Sequence, residues 1–268
     1  MNAEVLTPEI REAQPRRRGL WLPPWAWRMA VLIGIALIWE GLSRIRIVNP
    51  ALLPPFSDVV RSLASMVTDR SVRSQIALTG LELGIAYLIS VPVGVLIGVF
   101  LSRSEYWGRV LKPLLFFPLS IPKSVFLPLF ILALGITVTQ KVAFGVFSTV
   151  FIVILTTTTA VESISSDHVT VARSYGATAS QIVWRVYVPS MLPVLLEGLR
   201  LAMIFNFTGI IVAEMYASRG GLGYLITSWG DSFAMPSLFA GIILVSLIAI
   251  TFNELLRALE RKCSHWRT

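Results

Sequence analysis

Apolar residues fill long blocks of this chain, and short polar stretches separate the blocks. Six blocks are long enough for a helix to cross a membrane, since a hydrocarbon core of about 30 Å takes about 20 helical residues. We place the spans at Arg28–Ile45, Gln75–Leu101, Leu111–Ile136, Val142–Val161, Leu192–Ala217 and Leu238–Leu259. The pattern therefore predicts an all-α membrane protein with six transmembrane helices.

Proline and glycine mark special positions in two of these blocks. The third block carries prolines at positions 113, 118, 122 and 128. A proline frees a carbonyl, which a membrane tolerates only where a neighbour or a cavity satisfies it. We therefore predict that the third span consists of two shorter helices meeting near residues 120–123. In the second block, small residues recur four apart, which predicts close helix packing, at Gly80 and Gly84 and at Gly94 and Gly98.

The segment between the first two spans differs from the apolar blocks. Residues 49–68 open with three prolines, and Ser57 and Asp58 then follow as candidates for a helix N-cap. Such side chains accept a hydrogen bond from the first turn of a helix. We predict a short helix here that lies outside the membrane and is capped by one of these two residues.

Composition supports the membrane assignment and argues against nucleic acid and metal as partners. The chain is 55% hydrophobic and 14% charged, with a mean hydropathy of +0.73, whereas soluble domains carry about 25% charged residues. Its net charge of +8 comes from basic residues that flank apolar blocks, so we expect a membrane and no nucleic acid as its partner. His168 and His265, the two histidines, lack ligand partners at motif spacing, so no metal site is predicted.

The distribution of lysine and arginine predicts the orientation. With the N-terminus inside the cell, 14 basic residues fall on the cytoplasmic side and seven on the outer side. This bias places both termini in the cytoplasm of a plasma membrane. We divide the chain into cytoplasmic tails at 1–27 and 261–268 and a membrane domain at 28–260. A cleaved signal peptide is the alternative for the N-terminus, but Glu40 interrupts the apolar run and no small-x-small cleavage site follows.

A polar loop of residues 165–189 joins the fourth and fifth spans on the predicted cytoplasmic side. A long amphipathic loop on a membrane protein indicates a docking site for another protein. We predict a short helix over His168–Tyr175 and a turn at Gly176, because glycine has no side chain to oppose a tight turn. Arg173, Ser174 and Tyr175 would then crowd the tip of the loop.

The second half of this loop carries its own helix signals. Thr178 and Gln181 match a capping box, which predicts a helix from about Ala179. We expect Pro189 to end this helix, because a proline disfavours helical geometry in the residue before it. The apolar residues of the segment share an inward face: Ile182, Val183 and Val186.

The spacing in the loop resembles the EAA signature of bacterial ABC importer membrane subunits. That pattern is E-A-A, three residues, G, nine residues and I-x-L-P. Here Ala172 takes the second alanine, Gly176 the glycine, Val186 the isoleucine and Val188-Pro189 the last pair, while Thr170 and Val171 stand at the first two positions. Further landmarks over residues 52–259, such as Leu127-Pro128-Leu129, resemble the permeases of the nitrate, sulfonate and taurine type.

The resemblance implies a type I importer permease whose loop docks into a dimer of cytoplasmic ABC ATPases. The residues it assigns to this contact are Ala172, Arg173, Ser174, Tyr175, Gly176, Ala177, Thr178 and Pro189. It further implies a homodimer of permeases in the bacterial inner membrane and a periplasmic or lipid-anchored substrate-binding protein. ATP and Mg²⁺ would bind the partner ATPase. This chain would be a transport subunit without catalytic residues, cofactor or metal.

The chain itself shows no nucleotide-binding motif. G-x-x-x-x-G-K-[ST] is absent, and the glycine-rich run at 219–223 lacks the lysine of a phosphate cradle. We interpret that run as a turn leading into a short outer helix.

Polar residues inside the spans are the candidates for a translocation path, because burying them in a membrane is costly. The candidates are Tyr87, Ser120, Lys123, Asn206, Thr208 and Glu214. The run Thr156–Thr159 is a further candidate, although its hydroxyls could bond back to their own helix. For the charged residues of the spans we favour structural pairing over substrate contact. They are Glu40, Glu82, Glu197, Arg200, Glu214 and Glu254.

By resemblance, the expected substrate is a small anion such as a sulfonate, taurine or nitrate. The alternative within the same machinery is a pyrimidine-like or aromatic acid solute. An ion-coupled secondary carrier is a further alternative, but no aspartate lies in any span. An intramembrane enzyme would need a buried catalytic pair, and both histidines lie outside the spans.

Overall fold

The computed structural model describes residues 23–49 and 51–263, with side-chain surroundings up to residue 258. This part of the chain forms eleven α-helices and no strand. They are α1 (Pro24–Arg44), α2 (Phe56–Thr68), α3 (Arg70–Arg103), α4 (Glu105–Ser120), α5 (Leu127–Leu134), α6 (Val138–Glu162), α7 (Ser166–Ser174), α8 (Ala179–Ile182), α9 (Val188–Tyr216), α10 (Leu222–Asp231) and α11 (Met235–Cys263). The prediction of an all-α protein is confirmed.

Six apolar spans are recovered when one bent pair is counted as a single span. Five helical stretches qualify by length and composition: Pro24–Arg44, Arg70–Arg103, Val138–Glu162, Ala179–Tyr216 and Met235–Ala258. The sixth consists of Glu105–Ser120 and Lys123–Leu134, which meet at an angle of 90°. This break lies where the prolines of the third span predicted it, at Ile121 and Pro122.

Helices α3, α6 and α9 form the core of the described fold. Gly94 and Gly98 let α3 approach α6 closely, because a Cβ at Gly94 would stand 2.6 Å from Cβ of Val153. The predicted close packing is confirmed for this pair. A Cβ at Gly80 or at Gly84 would meet no atom within 4 Å. The prediction of close helix packing at these two glycines is therefore wrong within a single copy of the chain.

Helix α1 lies at the edge of the fold and is fastened to α2. The indole Nε1 of Trp39 donates to the carbonyl of Pro54 at 2.9 Å, and its ring packs against Phe56 and Phe239. The hydroxyl of Ser43 donates to the carbonyl of Leu53 at 2.8 Å. These contacts hold α1 beside α2, although most of its apolar surface faces outward.

The predicted cap of α2 is wrong. The helix starts at Phe56 after Pro55, which gives no side-chain cap, so Ser57 and Asp58 lie inside the first turn. Glu40 of α1 supplies the acceptor instead. Its carboxylate accepts hydrogen bonds from the backbone N–H and from the hydroxyl of Ser57, both at 3.0 Å. An acceptor from a packed neighbour thus replaces the local one.

Pro189 does not end the helix that starts at Ala179, which corrects the sequence prediction. A π-helical turn, Val183–Tyr187, follows α8 and runs directly into α9. Pro189 is the second residue of α9, directly after the π turn. The wider π turn gives the ring the space that a regular α turn would deny it. The loop is therefore continuous with the fifth span.

Candidate functional site

The first half of the 165–189 loop is a capped helix that ends in a tight turn. Helix α7 begins after Ser165, whose hydroxyl accepts from the N–H of Asp167 at 3.2 Å. It ends at Ser174, and the turn that follows contains Gly176, which has a φ of +76°. A Cβ at Gly176 would meet no atom within 4 Å, so the left-handed conformation, rather than crowding, favours glycine here.

The second half begins with the predicted capping box. Thr178 Oγ1 accepts from the N–H of Gln181 at 3.3 Å, and Gln181 Oε1 accepts from the N–H of Thr178 at 2.9 Å. This confirms the helix start at Ala179. Ile182 is buried and Val183 half-buried, so the predicted inward face anchors the helix to the fold.

The tip of the loop projects away from the fold. Of the residues assigned to the ATPase contact, Ala172 and Ala177 are half-buried, whereas the others are exposed, namely Arg173, Ser174, Tyr175, Gly176, Thr178 and Pro189. The Tyr175 ring is 89% exposed, and Trp184 nearby is 70% exposed. Sequence reasoning missed Trp184, although a tryptophan beside Arg185 in an amphipathic segment was a usable signal. Large exposed aromatics in a polar loop indicate a protein contact.

A cavity of about 330 Å³ opens at the break between α4 and α5. Ser120, Lys123 and Thr208 all line it, so the structure brings together three of the six path candidates. The other lining residues are Leu119, Ile121, Pro122, Ser124, Phe144, Ser148, Phe205, Gly209 and Val212. The ammonium of Lys123 donates to the carbonyl of Ser148 at 2.5 Å and lies 4.5 Å from the ring centre of Phe205.

The other three path candidates fasten helices to one another. Tyr87 donates to the carbonyl of Leu199 at 2.9 Å, and the amide of Asn206 donates to the carbonyl of Leu83 at 2.9 Å. Glu214 belongs to a separate cluster near the C-terminal end of α9. None of the three lines the cavity at the helix break. In the threonine run, the hydroxyls of residues 156, 158 and 159 bond back to their own helix.

A buried polar cluster joins α3, α6 and α9 to the glycine-rich run. The carboxylate of Glu214 accepts from the hydroxyl of Thr79 at 2.7 Å and from the N–H of Gly223 at 2.7 Å. Lys141 forms an ion pair with Glu82 and donates to the hydroxyl of Ser218 at 3.1 Å. The cluster therefore neutralises much of its own charge, which supports structural pairing for these residues.

The glycine-rich run 219–223 is the predicted turn into a short helix, α10. The N–H of Gly221 donates to Gln75 Oε1 at 2.6 Å, and the N–H of Leu222 donates to Thr79 Oγ1 at 2.9 Å. Gly221 has a φ of +107°, and a Cβ there would collide with the carboxylate of Glu214. Glycine is therefore required at this position by both conformation and space.

The model of one protein family, described as binding-protein-dependent transport system inner membrane component, matches residues 90–265. The chain belongs to this family. It is therefore a multi-pass inner-membrane permease, a transport subunit rather than an enzyme.

Relatives with several substrates align over most of this permease. It is 26% identical over 266 residues to the taurine transport system permease protein TauC of Escherichia coli, covering 96% of this chain and 97% of that one. It is 30% identical over 234 residues to the formylaminopyrimidine transport permease protein ThiX of Halalkalibacterium halodurans, covering 87% and 92%. The nitrate import permease protein NrtB of Synechococcus elongatus is 23% identical over 282 residues, covering 97% and 99%.

The fold agrees with a solved importer. Inward-facing MetNI, a methionine ABC transporter, superposes with a TM-score of 0.59 over 74% of this chain and 96% of that one, at 19% identity. This match identifies the fold as that of a type I ABC importer permease.

Proposed function

We propose that two copies of this permease form the translocation path of an ATP-driven importer and that residues 165–189 couple it to a cytoplasmic ABC ATPase dimer. The observation that carries the proposal is the capped, helical loop with Tyr175 exposed at its tip. In this arrangement both termini lie in the cytoplasm, and the ATPase binds ATP and Mg²⁺. A periplasmic or lipid-anchored binding protein delivers the solute on the outer side.

The connection between the loop and the cavity supports this coupling. The stretch Ala179–Tyr216 is continuous apart from the π turn. About 44 Å along this stretch from Ala179, at 1.5 Å per residue, Thr208 and Gly209 line the cavity. A displacement of the loop tip by the ATPase is therefore transmitted to the cavity wall by one helix. ATP binding and hydrolysis would then shift the permease between outward-facing and inward-facing states.

The incomplete wall of the cavity supports the proposed dimer. Its lining comes from α4, the 3₁₀ turn Lys123–Phe126, α6 and α9. Ser120 and Ser124 are exposed at its rim, so one copy leaves the cavity open on that side. A second copy facing this rim would close the path.

The transported solute we propose is a small anion such as a sulfonate, taurine or nitrate. Relatives named for taurine, aliphatic sulfonate and nitrate transport, at 23–26% identity, support this assignment. The second candidate is a pyrimidine-like or aromatic acid solute, favoured by the 30% identical formylaminopyrimidine permease. Uptake of labelled taurine and of a labelled aminopyrimidine by the reconstituted complex distinguishes the two.

The coupling proposal is tested by Gly176→Val. A β-branched residue cannot readily adopt the φ of +76°, so the tip should distort while the spans insert normally. We expect loss of ATPase co-purification and at least tenfold slower solute uptake, an order-of-magnitude estimate for losing an ordered docking element. Measurement requires co-expression with the ATPase, affinity purification and uptake into proteoliposomes.

Gly34→Val in α1 is the matched control, because a Cβ there also meets nothing within 4 Å and φ is negative. This variant should co-purify with the ATPase as the unaltered permease does. Unchanged coupling in Gly176→Val, with Gly34→Val equally unaffected, would refute docking through this loop.

A further inference from the structure

Lys123 is a cation within the broken third span, and no acidic partner faces it in the described part of the chain. Its ammonium contacts the Ser148 carbonyl and the Phe205 ring. Among the described residues it forms no ion pair, and none of those that line its cavity is acidic. Lys141, by contrast, is paired with Glu82.

The depth of the cavity makes this isolation costly. Ser148 lies in α6 about 15 Å along the axis from Val138 and about 21 Å from Glu162, at 1.5 Å per residue. Both distances are close to half the thickness of a membrane, so the ammonium of Lys123 is near mid-depth. A charge at that depth is retained mainly where it serves transport or pairs with an opposite charge.

A second polar group, beside the same cavity, has no partner among the described residues. The Ser148 side chain is 1% exposed, and its Oγ makes no hydrogen bond to the described residues. It points toward Gly209, where a Cβ would stand 2.6 Å from this oxygen, and both residues line the cavity. Buried hydroxyls in native proteins are normally satisfied, so this hydroxyl has a donor to offer to a bound molecule.

The hydroxyls of two neighbouring lining residues already donate to backbone carbonyls. Thr208 donates to the carbonyl of Ile204 at 2.9 Å, and Ser120 donates to that of Phe116 at 2.9 Å. Ser124 adds a hydroxyl only at the exposed rim. Away from the rim, the cavity presents one ammonium and the unpartnered hydroxyl of Ser148 among mostly apolar side chains. A group with negative oxygens accepts from both donors, and a charge-assisted hydrogen bond is stronger than a neutral one.

We propose that Lys123 Nζ and Ser148 Oγ bind the oxyanion group of the transported solute, a sulfonate in the first instance. This inference rests on the proposed function and adds that the permease itself selects for negative charge. A cavity of about 330 Å³ accommodates a short organic anion, since small-molecule sites start at about 300 Å³. Phe144, Phe205 and Val212 contact the apolar remainder of the solute. When the site is empty, the Ser148 carbonyl and the Phe205 ring hold the ammonium.

The site is tested by cysteine protection, which requires no ATPase. Ser120→Cys places a thiol at the rim, in a Cys263→Ser background, and purified permease in neutral detergent is labelled with N-ethylmaleimide. Methanesulfonate should slow labelling in a saturable manner, whereas dimethyl sulfone, a neutral molecule of similar shape, should not. Because labelling is independent of coupling, its failure is distinct from a failure of ATPase docking.

Variants assign the effect to the two donors. In Lys123→Gln, protection should need at least about tenfold more methanesulfonate, because a charge-assisted hydrogen bond is lost, whereas Lys123→Arg should retain protection. Ser148→Ala should weaken protection less than Lys123→Gln does. The controls Val125→Ala, in the same turn but outside the lining, and Ser246→Ala on α11 should leave protection unchanged.

Three outcomes overturn the proposal. The first is that methanesulfonate protects Lys123→Gln as well as it protects the protein with Lys123. The second is protection by dimethyl sulfone. The third is that methanesulfonate gives no protection when Lys123 is unchanged and the protein elutes and melts as a folded protein. A lipid headgroup could supply the same oxyanion chemistry, so the labelling is repeated in nanodiscs of neutral and of anionic lipid. Protection by anionic lipid alone, with methanesulfonate inactive, would refute the assignment to a transported solute.

Discussion

At the scale of single residues, the clearest feature is how buried charges are compensated. Lys141 and Glu82 form an ion pair between α6 and α3, and both side chains are at most 5% exposed. Glu214 adds a second carboxylate, held by Thr79 and by the N–H of Gly223. The ion pair and the bond from Thr79 join residues far apart in the chain, so the cluster ties helices together.

The ion pair predicts that Lys141 and Glu82 contribute to stability as a coupled pair. Lys141→Met should lower the free energy of unfolding by about 3–5 kcal/mol, because it leaves Glu82 buried without its cation. The double variant Glu82→Gln/Lys141→Met should lose less than the two single changes added together. Thermal or denaturant unfolding in detergent measures both quantities.

Lys112→Met is the matched control for this cycle. Lys112 pairs with Glu162, but both side chains are partly exposed, so the change should cost about 0–1 kcal/mol. Additive effects of Glu82→Gln and Lys141→Met would show that the two groups do not stabilise the fold as a pair.

At the scale of elements, the π turn Val183–Tyr187 connects the loop to the fifth span. Pro189 cannot donate a backbone hydrogen bond to the preceding turn, so the wider turn is the arrangement that keeps the helix continuous. π-Helical turns inside α-helices are frequent at functional sites. This one lies between the tip of the loop and the part of α9 that lines the cavity, so its geometry sets the orientation of the loop relative to α9.

Pro189→Ala should therefore change coupling more than stability. The restored N–H favours a regular α turn, which rotates the loop relative to α9. We expect unchanged or higher thermal stability together with fewer solute molecules transported per ATP hydrolysed. The measurement is simultaneous uptake and phosphate release in proteoliposomes.

Pro193→Ala, one turn further along α9 and outside the π turn, serves as the comparison. It should leave the ratio of transport to hydrolysis close to that of the unaltered permease. If Pro189→Ala also kept the ratio of transport to hydrolysis of the unaltered permease, the π turn would play no part in coupling.

At the scale of the whole molecule, one copy leaves its cavity open at the rim. Ser124 lines the cavity and is exposed, which places it on the surface that the proposed second copy would cover. Many outward-facing apolar side chains, such as Leu132 at 83% exposure, are expected of a protein surrounded by lipid or by a second copy. The open rim, rather than this apolar surface, indicates where the second copy faces.

Ser124→Cys in a Cys263→Ser background tests this arrangement. A short bismaleimide should link two copies in membranes, because both rims face the shared path. Ser246→Cys on α11 is also exposed but does not line the cavity, so it should give little dimer. Dimer formation at Ser246 and not at Ser124, seen on denaturing gels, would place the interface elsewhere.

The sequence by itself determined the features that depend on near neighbours in the chain. The six apolar blocks, the break at the prolines near residue 121, the capping box of Thr178 and Gln181, and the turn at Gly176 each arise within a few residues. Periodicity, capping and the limits on proline and glycine act at that range. The spacing of the loop, together with the order of the six spans, also predicted the family.

Tertiary structure alone decided the contacts between distant parts of the chain. Glu40 caps α2 from 17 residues away, Lys141 pairs with Glu82 across two helices, and Pro189 is accommodated by a π turn instead of ending its helix. Ser148 is an ordinary hydroxyl in the sequence, and only packing against Gly209 leaves it unpartnered beside Lys123. The physical reason is that these partners depend on how helices pack, which local propensity and hydrophobic periodicity do not encode.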